Sequence, residues 1–240
     1  EYNESVLGNK STIIYDASND WGTDFGTEPA ALENLSKRFE VIGCKSTDEM
    51  QQIASKYDLF YNLRYGFIEE PMIKTTKVGN HAVFQAYQPH GDVYAYVSEW
   101  LSKKMGNGEI PFVPHIVTAP EPDPNFRKEF RDKLGISEEQ FVIGRHGGFE
   151  TFDLQFVHQA VVAALNKDPN LVFVFVNTAH FYEHPRIFYV KPFFDNQKKS
   201  NFISACDAML HGRSRGESFG LAITDFLYHN KPTLAWNGGE

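Results

Sequence analysis

The chain has 240 residues, which is enough for one large domain or two of about 120, and either can bury a substantial core. Hydrophobic residues make up 42% of it and charged residues 22%, the balance of a folded globular protein rather than a disordered one. The 23 basic and 31 acidic residues give a net charge of −8, so the composition argues against a nucleic-acid partner. The apolar runs are far shorter than the roughly 20 residues of a transmembrane helix. The chain opens without a secretion-signal pattern, so we expect a cytoplasmic protein with no transmembrane segment.

The first half of the chain alternates short β-like runs with helical segments, which is typical of a parallel sheet with helices on both faces. A helix is predicted over residues 28–39, where Pro29 suits the first turn. Thr47 and Ser98 are the predicted N-caps of two later helices. Strands are predicted at residues 12–15, 41–44, 59–63, 82–87, 93–97 and 112–117. The simplest architecture for this half is a Rossmann-like domain.

A proline-rich segment, Ala119-Pro120-Glu121-Pro122-Asp123-Pro124, interrupts this alternation. Prolines at this density exclude a helix interior and a central strand, so the segment is a predicted linker. A second series follows, with predicted helices at 125–134, 154–165, 198–205 and 221–229 and predicted strands at 141–143, 171–176, 187–190, 207–210 and 232–236. The sequence therefore predicts an α/β protein with two Rossmann-like domains, residues 1–119 and 120–240.

The most specific pattern lies near the C-terminus, in residues 211–239. Glu217 and Asp225 stand eight positions apart around Ser218-Phe219-Gly220-Leu221, so that one carboxylate precedes a predicted helix and the other lies within it. In open α/β sheets, ligands bind outside the carboxyl ends of the strands, and the free N–H groups that begin a following helix hold anions. The pattern therefore predicts a ligand site at the start of this helix.

Together with Lys231-Pro232 and Gly238-Gly239, these residues resemble the donor-binding motif of retaining nucleotide-sugar glycosyltransferases of the GT-B fold, often called glycosyltransferase family 4. The segments 94–99 and 134–145 resemble further parts of that family, so the resemblance covers most of the chain. Two features depart from it. Family members usually carry a lysine shortly after the Gly-Arg step, where this chain has Glu150. Relatives also continue beyond the Gly-Gly turn, which fits a compact or a truncated member.

The resemblance implies two Rossmann-like domains with parallel sheets facing an interdomain cleft, the first on the acceptor side and the second binding the nucleotide-sugar donor. It implies an enzyme that transfers a hexose from a nucleotide-diphosphate sugar, linked to UDP or GDP, to a carbohydrate or another hydroxyl-bearing acceptor, with retention. No cofactor is implied besides the donor substrate. The sequence shows no close spacing of His and Asp typical of a metal site, so no metal is expected.

The resemblance also assigns the predicted catalytic residues. Arg145, at the end of a predicted strand, would bind the diphosphate and stabilise it as the leaving group. Glu217 would accept hydrogen bonds from the donor sugar and orient it, and His90 would approach that sugar. Arg213 and Arg215, in the loop before Glu217, are alternative sources of the missing cation.

The residues predicted to bind the donor lie around the same helix, with one exception. The backbone amides of Phe219, Gly220 and Leu221 would hold the diphosphate. Asp225 would hold the ribose hydroxyls, although aspartate is one methylene shorter than the glutamate usual in the family. Gly22, in a glycine-containing turn of the first half, would lie near the phosphate and the acceptor.

Three other interpretations stay open. The chain is alternatively a non-catalytic nucleotide- or sugar-binding protein derived from a decayed transferase, since Glu150 stands where a lysine is usual. A nucleotide-sugar epimerase shares the two-domain plan. A solute-binding protein with two α/β lobes is disfavoured because no secretion signal is evident.

Overall fold

The computed structural model describes residues 2–18 and 28–239. The chain divides into two compact units, Glu1–Pro114 (unit 1) and His115–Glu240 (unit 2). Every paired strand in both units is parallel to its neighbour, which confirms the predicted α/β class with parallel sheets. The division falls shortly before the predicted linker, and the assignment of residues 1–119 and 120–240 as domains stays a prediction.

The described residues of unit 1 form two small parallel sheets and short helices. Its elements are α1 (Tyr2–Ser5), β1 (Thr12–Asp16), α2 (Pro29–Ser36), β2 (Glu40–Cys44), α3 (Thr47–Ala54), β3 (Leu59–Arg64), β4 (Lys77–Ala82), β5 (Val93–Tyr96) and α4 (Glu99–Gly106). Strands β1 and β2 form one sheet, and β3, β4 and β5 form the other in that order. The buried face of α3, with Met50 and Ile53, packs in one apolar cluster with Val78 of β4.

Serine side chains cap the N-termini of α3 and α4 in unit 1. Ser98 is the N-cap of α4, as predicted, and its Oγ accepts a hydrogen bond from the amide of Leu101 at 3.3 Å. The prediction for α3 is wrong by one residue. Ser46 rather than Thr47 is the N-cap, and its Oγ accepts from the amide of Glu49 at 3.2 Å.

Two predicted strands of unit 1 differ from the observed ones. A strand was expected at 82–87, but the observed strand β4 ends at Ala82. The sequence of β4 is largely polar although most of its residues are buried, so no apolar pattern marks it as a strand. The strand predicted at 112–117 is reduced to one bridge between Tyr96 and Phe112. Pro111 and Pro114 flank that bridge and have no N–H to donate to a ladder.

Unit 2 is built on one five-stranded parallel sheet. Its elements are α5 (Phe126–Leu134), β6 (Phe141–Arg145), α6 (Gln155–Lys167), β7 (Leu171–Val176), β8 (Ile187–Val190), α7 (Asn196–Ala205), β9 (Ala208–His211), α8 (Leu221–Tyr228) and β10 (Thr233–Ala235). The strand order is β10-β9-β6-β7-β8. The chain builds outward from β6 to β8, then crosses back to place β9 on the other side of β6. Strands β6 and β9 therefore mark the topological switch point of the sheet.

Apolar side chains cover both faces of this sheet. On one face, Phe202 of α7 and Phe226 of α8 share a buried cluster with Val142 of β6. On the other face, Val161 of α6 shares a buried cluster with Phe173 of β7. Because β7 is buried on both faces, its sequence is a continuous apolar run rather than an alternating one.

Candidate functional site

The candidate site lies at the carboxyl ends of β6 and β9, the switch point at which ligands bind in open α/β sheets. Arg145 is the last residue of β6, and His211 is the last residue of β9. Glu217 follows in the loop after β9, and α8 begins at Leu221. Unit 2 therefore brings Arg145, Glu217 and the start of α8 to one edge of its sheet.

Arg145 is a buried cation, only 2% exposed. Its Nη1 donates to Oγ1 of Thr178, and its Nη2 donates to Oγ1 of Thr151 at 2.8 Å and to the carbonyl of Gly148 at 3.1 Å. No ion pair joins it to a carboxylate anywhere in the described ranges. Burial lowers the pKa of Arg145 to about 10, although the charges of Glu217 and Asp153 act in the opposite direction. A buried guanidinium with neutral partners leaves positive charge for an anionic ligand to offset.

The loop after β6 is held close to Arg145 by small residues and by the neighbouring strand. A Cβ on Gly147 would lie 3.1 Å from Nη2 of Arg145, so a larger residue would crowd the guanidinium. Asn177, in a left-handed conformation with φ 48° just after β7, donates from Nδ2 to the carbonyl of Gly147 at 2.8 Å. The loop geometry around Arg145 is therefore set by the end of β7.

Glu217 is a half-buried carboxylate held by two basic side chains. Nε2 of His211 donates to Oε1 at 2.9 Å, and Nη1 of Arg213 donates to Oε2 at 3.0 Å. Burial alone would raise the pKa of Glu217, but the hydrogen bond from His211 and the charge of Arg213 outweigh it and lower that pKa below its usual range.

The loop that carries Glu217 is anchored to the chain after β6, because Ser214 donates from its amide to Asp153 at 2.7 Å.

Helix α8 begins at a glycine in the left-handed region. Gly220 is the N-cap, with φ 85°, and within the part of the chain that the structure describes no side chain caps the helix. The amides of the first turn, beginning with Leu221, are therefore not satisfied by a side-chain cap. The ring of Phe219 meets His115 edge-on, with centroids 5.1 Å apart.

Asp225 is buried inside α8 and has a cationic partner. Its Oδ2 lies 2.9 Å from Nζ of Lys199 on α7 and 3.4 Å from Nε2 of His146, the residue after Arg145. The His146 ring stacks on Phe226, with centroids 5.7 Å apart. Burial lowers the pKa of His146 to about 4. The charge of Asp225 acts to raise this pKa and that of Lys199 to lower it, and the imidazole is neutral at pH 7.

The two other predicted site residues belong to the first half of the chain. Nδ1 of His90 hydrogen-bonds the carbonyl of Gln88 at 2.7 Å, and its ring lies against Tyr94 with centroids 5.7 Å apart. Gly22 lies outside the described residues. Their roles stay predictions.

Sequence reasoning did not identify His146, Lys199 or Thr178 as site residues. His146 had a usable signal, since it directly follows Arg145 at a strand end. Of the alternative cations, Arg213 pairs with Glu217, whereas Arg215 is exposed, as is Glu150. In the described part of the chain, no three His, Cys, Asp or Glu side chains are grouped as a metal site, and no helix is long and apolar enough to cross a membrane.

The fold is similar to that of several solved proteins. HepE of Anabaena, solved with UDP-glucose, matches with a TM-score of 0.65 and 15% identity, over 89% of this chain and 71% of HepE. A glycosyltransferase from Rickettsia africae matches with a TM-score of 0.66 and 14% identity, over 98% and 73%. MnaA of S. aureus, solved with UDP, matches with a TM-score of 0.50 and 14% identity, over 88% and 69%.

No protein-family model and no curated protein sequence matches the chain. The structural likenesses confirm the expected resemblance at the level of the fold, which is that of GT-B glycosyltransferases.

Proposed function

We propose that the chain is a glycosyltransferase that moves a hexose from a nucleotide-diphosphate sugar to a hydroxyl-bearing acceptor, with retention. The observation that carries this proposal is Arg145, a buried arginine with no carboxylate partner among the described residues, at the switch point beside Glu217. A bound diphosphate would give this buried guanidinium the anionic partner that the described residues do not provide. A GT-B fold, met in neighbours solved with UDP and UDP-glucose, supports the same class of ligand.

The diphosphate would bind Arg145 and the first amides of α8. A planar guanidinium binds phosphate oxygens through two N–H groups, and such charge-assisted bonds are about twice as strong as neutral ones. Nε of Arg145 is buried and has no hydrogen-bond partner among the described residues. The amides of Phe219, Gly220 and Leu221 precede or begin the helix, whose dipole favours an anion. As the glycosidic bond breaks, these groups would offset the charge that develops on the leaving diphosphate.

The donor sugar would lie against Glu217. Its lowered pKa keeps it ionised, so it accepts hydrogen bonds from sugar hydroxyls and favours an oxocarbenium-like transition state. Asp225 would hold the ribose, and the roles that the resemblance implies for His90 and Gly22 belong to the same proposal. The nucleotide would be UDP or GDP, the acceptor a carbohydrate or another hydroxyl-bearing molecule, and the location the cytoplasm.

A thermal-shift screen with UDP, GDP, ADP and their hexose conjugates tests the donor site. A ligand at about 100 times its dissociation constant should raise the Tm by about 5 °C or more. Arg145→Ala should remove that rise, and Lys128→Ala, at an exposed cation of α5, should keep it. If no nucleotide raises the Tm of the unchanged protein, the donor site does not exist.

Product analysis then separates the enzyme classes. Acceptor-dependent release of nucleoside diphosphate supports a transferase. An isomeric nucleotide sugar formed without acceptor would instead identify an epimerase. Binding with neither product would identify a non-catalytic protein.

A further inference from the structure

The ion pair between Lys199 and Asp225 is open to solvent at one end only. The Asp225 side chain is 6% exposed, whereas the Lys199 side chain is 26% exposed. The pair joins α7 to α8 with 2.9 Å between Nζ and Oδ2. A buried carboxylate needs such a partner, because leaving it charged and alone in the interior is costly.

The two oxygens of Asp225 have unequal surroundings. Lys199 and His146 both lie against Oδ2. His146 is fixed by stacking on Phe226, and its Nε2 makes no hydrogen bond to the described residues. No hydrogen bond or ion pair from those residues reaches Oδ1. Since a carboxylate offers several acceptor positions, Asp225 retains capacity for a donor that the protein itself does not supply.

We propose that Lys199 takes part in ribose recognition, both by orienting Asp225 and by binding the ribose itself. It holds Oδ2 of Asp225 so that Oδ1 accepts from one ribose hydroxyl, and the free N–H groups of its own ammonium donate to the other. The proposal rests on the proposed function, in which Asp225 binds ribose. A vicinal diol suits this pair, because each hydroxyl both donates and accepts.

The arrangement predicts discrimination against a missing 2′-hydroxyl. A 2′-deoxynucleotide would leave one member of a largely buried charged pair without its ligand partner. Hydrogen bonds to charged groups are strong enough that this loss corresponds to about a tenfold weaker binding or more. If Lys199 contacted the diphosphate instead, removing it would weaken ribonucleotide and 2′-deoxynucleotide binding equally.

Calorimetric titration with UDP and 2′-deoxy-UDP tests the proposal. The unchanged protein should prefer UDP by about tenfold, and Lys199→Met should reduce the preference to about threefold or less. Lys199→Arg should restore most of it. Lys198→Met is the matched control, because Lys198 is the adjacent lysine of α7 and is exposed; it should keep the preference. If Lys199→Met does not fold, Lys199→Met combined with Asp225→Asn removes both charges and should equally lack the preference.

The outcomes separate this proposal from the one on which it rests. If UDP binds the unchanged protein and 2′-deoxy-UDP binds equally well, the role of Lys199 is overturned while the donor site stands. A Lys199→Met variant that weakens both ligands by the same factor overturns it as well. If neither ligand binds the unchanged protein, and GDP and ADP with their 2′-deoxy forms also fail, both proposals are wrong.

Discussion

Arg131 of α5 donates to Oδ2 of Asp207 across 2.7 Å, and this contact joins the first helix of unit 2 to the start of β9. The guanidinium is fully buried and also donates to the carbonyls of Ala205 and Gln140. Asp207 also accepts from the amide of Val142 and from Nη2 of Arg127, both at 2.8 Å. Burial alone would raise the pKa of Asp207, but these donors outweigh it and lower that pKa. The helix after the proline-rich segment is thus tied to the sheet by a satisfied polar network.

Arg131→Met should destabilise unit 2 strongly. It removes one of the two guanidinium partners of Asp207, which keeps Arg127 at 2.8 Å, and it leaves the carbonyls of Ala205 and Gln140 without their donor, at a cost of about 1–3 kcal/mol for each buried group left unsatisfied. Chemical denaturation followed by circular dichroism measures the loss. Lys128→Met is the control, since Lys128 pairs with Asp132 on the exposed side of the same helix. That variant should unfold at the unchanged midpoint, and equal effects of the two changes would contradict this account.

Arg145→Met should separate stability from ligand binding. Arg145 is almost as buried as Arg131, but its partners are two hydroxyls and a carbonyl rather than a carboxylate. Removing it uncovers no buried anion, so the free energy of unfolding without ligand should fall by well under the roughly 3–5 kcal/mol expected for a buried ion pair. Nucleotide-dependent stabilisation should disappear in Arg145→Met and persist in the folded fraction of Arg131→Met. The reverse pattern would show that Arg145 is a structural residue.

His146 should make stability depend on pH. Its pKa is about 4 in the folded chain against 6.5 when exposed, so only the unfolded state gains this proton as the pH falls through that window. Its contribution is complete above about pH 6.5 and declines below it, by about 2 kcal/mol between about pH 7.5 and about pH 5. Urea denaturation should therefore show a shallower pH dependence for His146→Gln than for the unchanged protein. His180→Gln, at an exposed histidine, should keep the full slope.

The features that sequence predicted well have local signals. The run Leu171–Val176 was predicted and observed with the same bounds, because a fully buried parallel strand shows itself as consecutive apolar residues. Strand β4 was misplaced for the opposite reason. Asn80 and His81 of β4 are buried, and Asn62 of the neighbouring β3 donates to Asn80 at 3.2 Å. The local sequence gives no signal for burial that depends on contacts with another strand.

The residues of the candidate site also fall into those that have a local sequence signal and those that have none. Glu217 and Asp225 were recognisable because they stand close together in one motif. Lys199 was not, because it lies on another helix and meets Asp225 only when α7 and α8 pack on one face of the sheet. A pairing across elements depends on helix rotation and strand order, which single-residue patterns do not encode.

Gly144→Ala should disturb the packing that positions Arg145. Gly144 lies in β6 directly before Arg145, and a Cβ there would overlap the sulfur of Cys206 and lie 3.2 Å from Cζ of Phe202 on α7. Such overpacking costs about 1–3 kcal/mol, because β6 must move away from α7. Gly79→Ala is the control, since a Cβ in that strand would meet only ordinary contacts at 3.8 Å.

The double variant Gly144→Ala with Cys206→Ala distinguishes steric overlap from a general intolerance of β6. Removing the sulfur relieves the closest overlap, so the double variant should be more stable than the sum of the single changes predicts, by about 1 kcal/mol. Denaturation of the four proteins of this cycle measures the coupling. The same displacement of β6 should carry Arg145 out of reach of Thr178, so nucleotide binding should weaken in Gly144→Ala and recover in the double variant. Additive stabilities, with binding unchanged throughout, would show that the close approach of β6 to α7 does not position Arg145.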